Sequence, residues 1–243
     1  MLYTLFSPSE GKNSGGRALQ DTSLLFDNAP RKEILTAYNT IVNSGNMEQI
    51  KALFGIKKER DIAPYIEDLF AAPKMAAIER YNGVAFGYLD YPSLSAEAQA
   101  YLKKHVIIFS NLYGSILGGD EIANYKVKQG NSIGEIAPDK FYKKRFSYQL
   151  DLQLMEHEIL DLRAGYYDKF YKTKQNYTTL KFLKGGKSVS HWAKAYRGIV
   201  LRALAKDQVD SLEEFMELEI ETLKVEEIKQ VKNKQEIVYS ILD

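Results

Sequence analysis

Leu2, Tyr3, Leu5 and Phe6 form an apolar, β-rich run that Ser7-Pro8-Ser9-Glu10-Gly11-Lys12 breaks at once, which predicts a buried strand ending in a polar loop. The pattern returns at residues 106–109, closed by Ser110-Asn111-Leu112-Tyr113-Gly114. Between the two runs the period is helical. Residues 30–43 place Ile34, Leu35, Tyr38, Ile41 and Val42 on one face, with Pro30 in the first turn. A second helix is expected over residues 47–54, and a third from the Gly55 turn to Phe70, ahead of Pro73. Residues 81–91 mix tyrosine and glycine with no helical period and read as a loop plus a short strand. Ser95 caps a helix running to Lys104.

Further along, residues 13–27 read as an extended excursion and residues 139–157 as a long helix, around which Lys143, Lys144 and Arg145 fan rather than align. Strands are expected at Ile159 to Leu162, at residues 178–183 and at residues 237–242. The charged stretch from Glu213 to Lys234 reads as a solvated surface. In the helix over residues 190–202, with Ser190 as cap, Trp192, Tyr196, Ile199 and Ala203 form an apolar stripe, and Lys194, Arg197 and Gly198 point away from it. A glycine inside a helix costs about 1 kcal/mol relative to alanine, so Gly198 predicts a close approach by a packed neighbour or a ligand.

These elements predict a mixed α/β single domain over residues 1–243: a central mixed sheet flanked by helices, with residues 30–72 as a helical subdomain. Two parallel strands joined through helices would bring the Ser7 and Ser110 loops to one sheet edge, where α/β proteins bind ligands. Forty-five per cent apolar content can fill one substantial core. With 33 basic and 32 acidic residues the net charge is +1, so any polyanion site has to be local. There is no cysteine, which removes thiolate metal sites and thiol redox catalysis, and three scattered histidines show no metal-ligand spacing. No metal or cofactor is expected. The first residues lack a basic leader and no later run approaches membrane-spanning length, so a cytoplasmic, soluble and monomeric protein is expected.

The apolar corner Leu53-Phe54-Gly55-Ile56 between short helices is similar to a helix-hairpin-helix, an element that grips nucleic-acid phosphates through backbone N–H groups with Lys57, Lys58 and Arg60 nearby. Lys57 stands where that motif has its second glycine, and an ordinary helix corner fits equally well. Gly11-Lys12 lacks the remaining residues of a phosphate loop.

Taken in order, Ser7-Pro8, the Gly83 segment, Leu112-Tyr113-Gly114, Tyr125-Lys126, Tyr171-Lys172 and Trp192-Ala193-Lys194-Ala195-Tyr196-Arg197-Gly198 resemble the YaaA family of peroxide-stress proteins along nearly the whole chain. The first loop carries Ser-Pro-Ser-Glu-Gly-Lys where the best-known members have Ser-Pro-Ala-Lys, which shifts the loop lysine. The resemblance implies a single mixed α/β domain with a basic cleft and a helix-hairpin-helix, double-stranded DNA as partner, and a cytoplasmic role in limiting iron-dependent oxidative damage. On that expectation the phosphate contacts are Gly55, Lys57, Lys58, Arg60, Ser7, Lys12, Lys126, Arg163, Lys172, Lys194 and Arg197. The alternative is an enzyme acting on a phosphorylated, nucleotide or nucleic-acid substrate in that cleft. Its acid, base and charge-stabilising candidates are Tyr113, Asp161, Lys194 and Arg197. Ser7, Tyr113, Lys194 and Arg197 facing one closed pocket would favour the enzyme.

Overall fold

The computed structural model describes residues 1–18 and 24–242, with the side chains of Ser190 and His191 left aside. The expected Ser190 cap and part of the expected excursion over residues 13–27 lie outside the described residues; the backbone places Val189 at the N-cap of that helix.

The first strand, β1 (Leu2–Phe6), is buried at every position. A strand covered on both faces reads as a continuous apolar run, and this one is central. After β2 (Gly11–Lys12), the helices α1 (Ala29–Val42) and α2 (Met47–Phe54) form as expected, α2 capped by the Asn46 side chain and ended by Gly55 at φ 67°. The third helix does not form. Glu59–Asp61 and Ala63–Tyr65 are separate 3₁₀ turns, because Lys57 to Asp61 offers no apolar stripe and Pro64 removes a helix donor. The helix-hairpin-helix therefore lacks its second α-helical arm.

Next come β3 (Lys74–Ala76), α3 (Ala77–Arg80), β4 (Tyr81–Asn82) and α4 (Val84–Leu89). Two helical segments thus flank the short strand where residues 81–91 read as loop plus strand. α4 is one and a half turns long, and burial of Phe86 and Leu89 beside a later helix holds it, a tertiary effect that local period does not carry. Ser95 caps α5 (Ala96–His105), its hydroxyl accepting from Ala98 N–H at 3.2 Å, and β5 (Val106–Ser110) is again wholly buried. The chain continues through β6 (Gly114–Leu117), β7 (Glu121–Ala123), α6 (Pro138–Leu154), β8 (Glu158–Asp161), β9 (Tyr177–Lys184), β10 (Lys187–Ser188) and α7 (Ser190–Asp207). It ends with α8 (Leu212–Glu217), β11 (Leu223–Val231) and β12 (Lys234–Ile241), so the charged stretch holds a helix and an exposed edge strand.

The main sheet runs β11-β12-β9-β8-β1-β5-β6, with β10 paired to β9. From β12 to β5 every pairing is parallel; the outer pairs β11–β12 and β5–β6 are antiparallel. In register, Leu5 sits between Ile107 and Asp161. The chain builds the sheet to one side of β1 with β5 and then to the other with β8, so β1 is the switch point. Crevices beyond the carboxyl ends of strands at such points are where open α/β sheets bind ligands.

Two arginines pin the loops to this frame. Arg31, fully buried, donates to the carbonyls of Leu25, Tyr113 and Ser115, and Arg80 to those of Asn13, Gly15, Pro73 and Ile122. No described helix is long and apolar enough to cross a membrane.

Candidate phosphate-binding cavity and hairpin

A cavity of about 440 Å³ opens beyond the ends of β1 and β8. Its walls are the Ser7 to Glu10 loop, the start of α4, Gln129, Leu162, Ala164 and Tyr167, and the Lys194 and Arg197 side of α7. Ser7 is fixed by accepting a hydrogen bond from Ala164 N–H at 2.8 Å, which ties the loop after β1 to the segment after β8.

α7 reaches the cavity because Gly198 lies directly against α4. A Cβ added at Gly198 would overlap the Ala85 carbonyl oxygen and lie 2.9 Å from the carbonyl carbon, so only glycine permits this crossing. The crossing turns α7 so that Ala195, Tyr196, Val200, Leu201 and Leu204 face the core. Tyr196 stacks on Phe182, whereas Trp192 is 45% exposed with the Lys184 ammonium over its ring; the expected apolar stripe through Trp192, Ile199 and Ala203 is displaced by this packing. Among the described residues neither Lys194 nor Arg197 has a hydrogen-bond or ion-pair partner. Burial lowers the Arg197 pKa, with Asp161 partly opposing the shift.

Ser7, Lys194 and Arg197 thus share one cavity, but Tyr113 does not join them. It is buried, with its hydroxyl accepting from Ala123 N–H at 3.3 Å, and burial pushes its phenol up. Asp161 and Arg163 are equally unavailable. They form a two-point pair, 2.9 Å from Nε to Oδ1 and 2.6 Å from Nη2 to Oδ2, and Arg163 also donates to the Tyr167 and Tyr171 carbonyls and stacks over Phe109. An arginine with its donors taken and its side chain 2% exposed is a scaffold element rather than a phosphate contact.

Lys12 likewise turns inward. Its ammonium lies 3.9 Å from the Tyr125 ring centre and donates to the Ser9 and Glu10 carbonyls, because pairing of β2 with β4 carries it over Tyr81. Burial, with Lys126 and Arg80 nearby, drives its pKa well below the usual lysine value, although Glu10 opposes this. Lys126 pairs with Glu10 at 3.1 Å. Burial raises the Glu10 pKa, but hydrogen bonds from Gln129 N–H and Lys126 outweigh it, so the carboxylate stays ionised below its usual range. Lys172 is exposed and lies outside the cavity.

What forms of the hairpin, α2 with the Gly55 turn and the 3₁₀ turn after it, stands next door. Lys57, Lys58 and Arg60 are exposed, with acidic Glu59 and Asp61 among them; Arg60 approaches Asp61 at 3.5 Å. Gly55 and Ile56 spend their N–H groups on the Ala52 and Lys51 carbonyls, whereas the amides of Lys57 and Lys58 have no partner among the described residues. Lys128 lies on Gly55, where a Cβ would meet its side chain at 2.5 Å, and its neighbour Gln129 lines the cavity. Hairpin and cavity are therefore separated by one segment of chain. A larger depression of about 810 Å³ on the other side of Gly83 presents Glu79 and Asp90 and no lysine or arginine, so it does not suit an anion.

Glu10, Gln129, Tyr167 and the α4 residues were not among the residues expected from sequence to form the site. Glu10 was legible as part of the loop that ends β1; Gln129 and Tyr167 carry no local signal.

These features define a mixed α/β protein with a cation-bearing cavity at the switch point of its sheet. Residues 1–229 match the family model for the peroxide stress protein YaaA, and the chain belongs to that family. It is 44% identical over 246 residues to an uncharacterized protein of Campylobacter jejuni, spanning all of both chains. A UPF0246 protein of Fusobacterium nucleatum is 26% identical over 228 residues, covering 90% of this chain and 92% of that one. One from Streptomyces coelicolor is 28% identical, covering 84% and 82%.

Proposed function

We infer that this peroxide stress protein binds double-stranded DNA through phosphate contacts and, by occupying the duplex in the cytoplasm, helps to limit iron-dependent oxidative damage. The observation that carries the reading is the contact of Lys128 with Gly55 beside Gln129, which joins the segment bearing the exposed Lys57, Lys58 and Arg60 to one wall of the cavity that Lys194 and Arg197 also line. Two unpartnered amides and several lysines suit a phosphate backbone, and such contacts position a duplex without reading its sequence. With a net charge of +1 the affinity is modest and salt-sensitive. Equilibrium binding of a short duplex by the wild type and Lys57→Glu/Lys58→Glu tests it; an unchanged affinity excludes the hairpin as the contact.

A second reading, an enzyme acting on a phosphorylated, nucleotide or nucleic-acid substrate, is favoured by the convergence of Ser7, Lys194 and Arg197 on one cavity. Tyr113, Asp161 and Arg163 take no part in it. In that reading Lys194 and Arg197 stabilise developing negative charge.

A further inference from the structure

The cavity beyond β1 and β8 has three kinds of wall. Lys194 and Arg197 supply cations with no ion-pair or hydrogen-bond partner among the described residues, Asp161 acting on Arg197 only from a distance, and Arg197 is partly buried. A guanidinium withdrawn from water without an ion pair is costly, and a bound anion would offset that cost. Phe6, Leu162, Val84, Phe86 and the ring of Tyr167 supply an apolar surface, on which Phe6 and Phe86 meet edge to face at 5.5 Å. Glu10 and Gln129 supply a carboxylate and an amide, the carboxylate held in place by Lys126. Beside Tyr167, the amide of Asn111 is 7% exposed and its Oδ1 has no hydrogen-bond partner.

A ligand matching all three walls carries a phosphate, a planar body with an apolar face, and a polar edge. The volume, about 440 Å³, lies toward the smaller end of ligand sites of roughly 300–1,000 Å³. A bare sugar phosphate would leave the aromatic wall unused, and a double helix is too wide to enter and would meet only the exposed Lys194 at the mouth.

We propose that this cavity holds one nucleoside monophosphate unit, its phosphate on Lys194 and Arg197, its base against Phe6, Phe86 and Tyr167, and its polar edge toward Glu10 and Gln129. The proposal deepens the second reading above and rests on it. The unit comes either from the free nucleotide pool or from a strand that presents an unstacked base.

The test is calorimetric titration of the full-length protein with adenosine 5′-monophosphate, cytidine 5′-monophosphate, adenosine and inorganic phosphate. At least one monophosphate binds at least tenfold more tightly than either adenosine or phosphate alone. Arg197→Met weakens it at least tenfold, and Val84→Trp, which fills the cavity while leaving both cations, does the same; circular dichroism and the unfolding midpoint check that each variant is folded. Competition by a short single strand identifies the strand as the source, and its failure to compete identifies the free nucleotide. Binding without any product by NMR removes the enzyme reading and leaves the site standing. The proposal is overturned if neither monophosphate binds at millimolar concentration, if phosphate binds as tightly, or if folded variants of both kinds bind like the wild type.

Discussion

Gly198 of α7 packs against the carbonyl of Ala85 in α4, so closely that a single methyl group at position 198 would overlap the oxygen. This contact positions Lys194, about one turn away, and the adjacent Arg197 at the cavity. The obstacle is backbone, which cannot rotate aside as a flexible side chain would. Gly198→Ala is expected to lower stability by about 1–3 kcal/mol despite the better helix propensity of alanine, and Gly198→Leu by more. Urea unfolding measures it; a gain in stability for the alanine variant would show that the two helices separate freely.

The Asp161–Arg163 pair predicts a different kind of loss. Both residues are buried, and Arg163 holds the Tyr167 and Tyr171 carbonyls next to the cavity wall. Asp161→Asn keeps the shape but leaves a buried guanidinium with only the exposed Asp168 carboxylate, 3.6 Å away, as counter-charge, a change that costs up to about 3–5 kcal/mol. Thermal unfolding should show a large drop in midpoint. A midpoint within a degree or two of the wild type would mean that Arg163 finds other compensation.

Lys12 makes stability depend on pH in a direction fixed by its lowered pKa. Burial makes the ammonium harder to form in the folded protein than in the unfolded chain, which binds a proton at every pH below about 10.5. The resulting penalty is absent above that value, grows as the pH falls toward the lowered folded pKa, and is constant below it. Lys12→Met should therefore raise the unfolding midpoint near neutral pH, with the advantage shrinking as the pH approaches 10.5. A difference that does not vary over that window would contradict the burial of the ammonium over Tyr125.

How far the sequence reached depended on whether a residue's neighbours were local. Leu2 to Phe6 and Val106 to Phe109 declared buried strands because burial on both faces leaves an unbroken apolar run, and Ser95 declared its helix by a cap three residues from its partner amide. Gly198 announced a close approach, though its partner, Ala85, is over a hundred positions away. α4 was hidden because its stability comes from α7, and β11 because an edge strand exposed on both faces shows no alternation. The charges were the least legible. Lys12, Arg163 and Lys194 look alike in sequence, yet the first lies over a tyrosine ring, the second is locked to Asp161, and only the third faces the cavity.

We propose that hairpin and cavity form one phosphate-binding face. Its most direct measurement is duplex affinity as a function of salt for the wild type, Lys57→Glu/Lys58→Glu, Lys194→Glu and the triple variant. Each phosphate contact contributes about 0.9 to the slope of log affinity against log salt. The hairpin variant should lower the slope by roughly two such units, Lys194→Glu by about one, and the triple variant by both together. Slopes equal to the wild type in all three variants would contradict it.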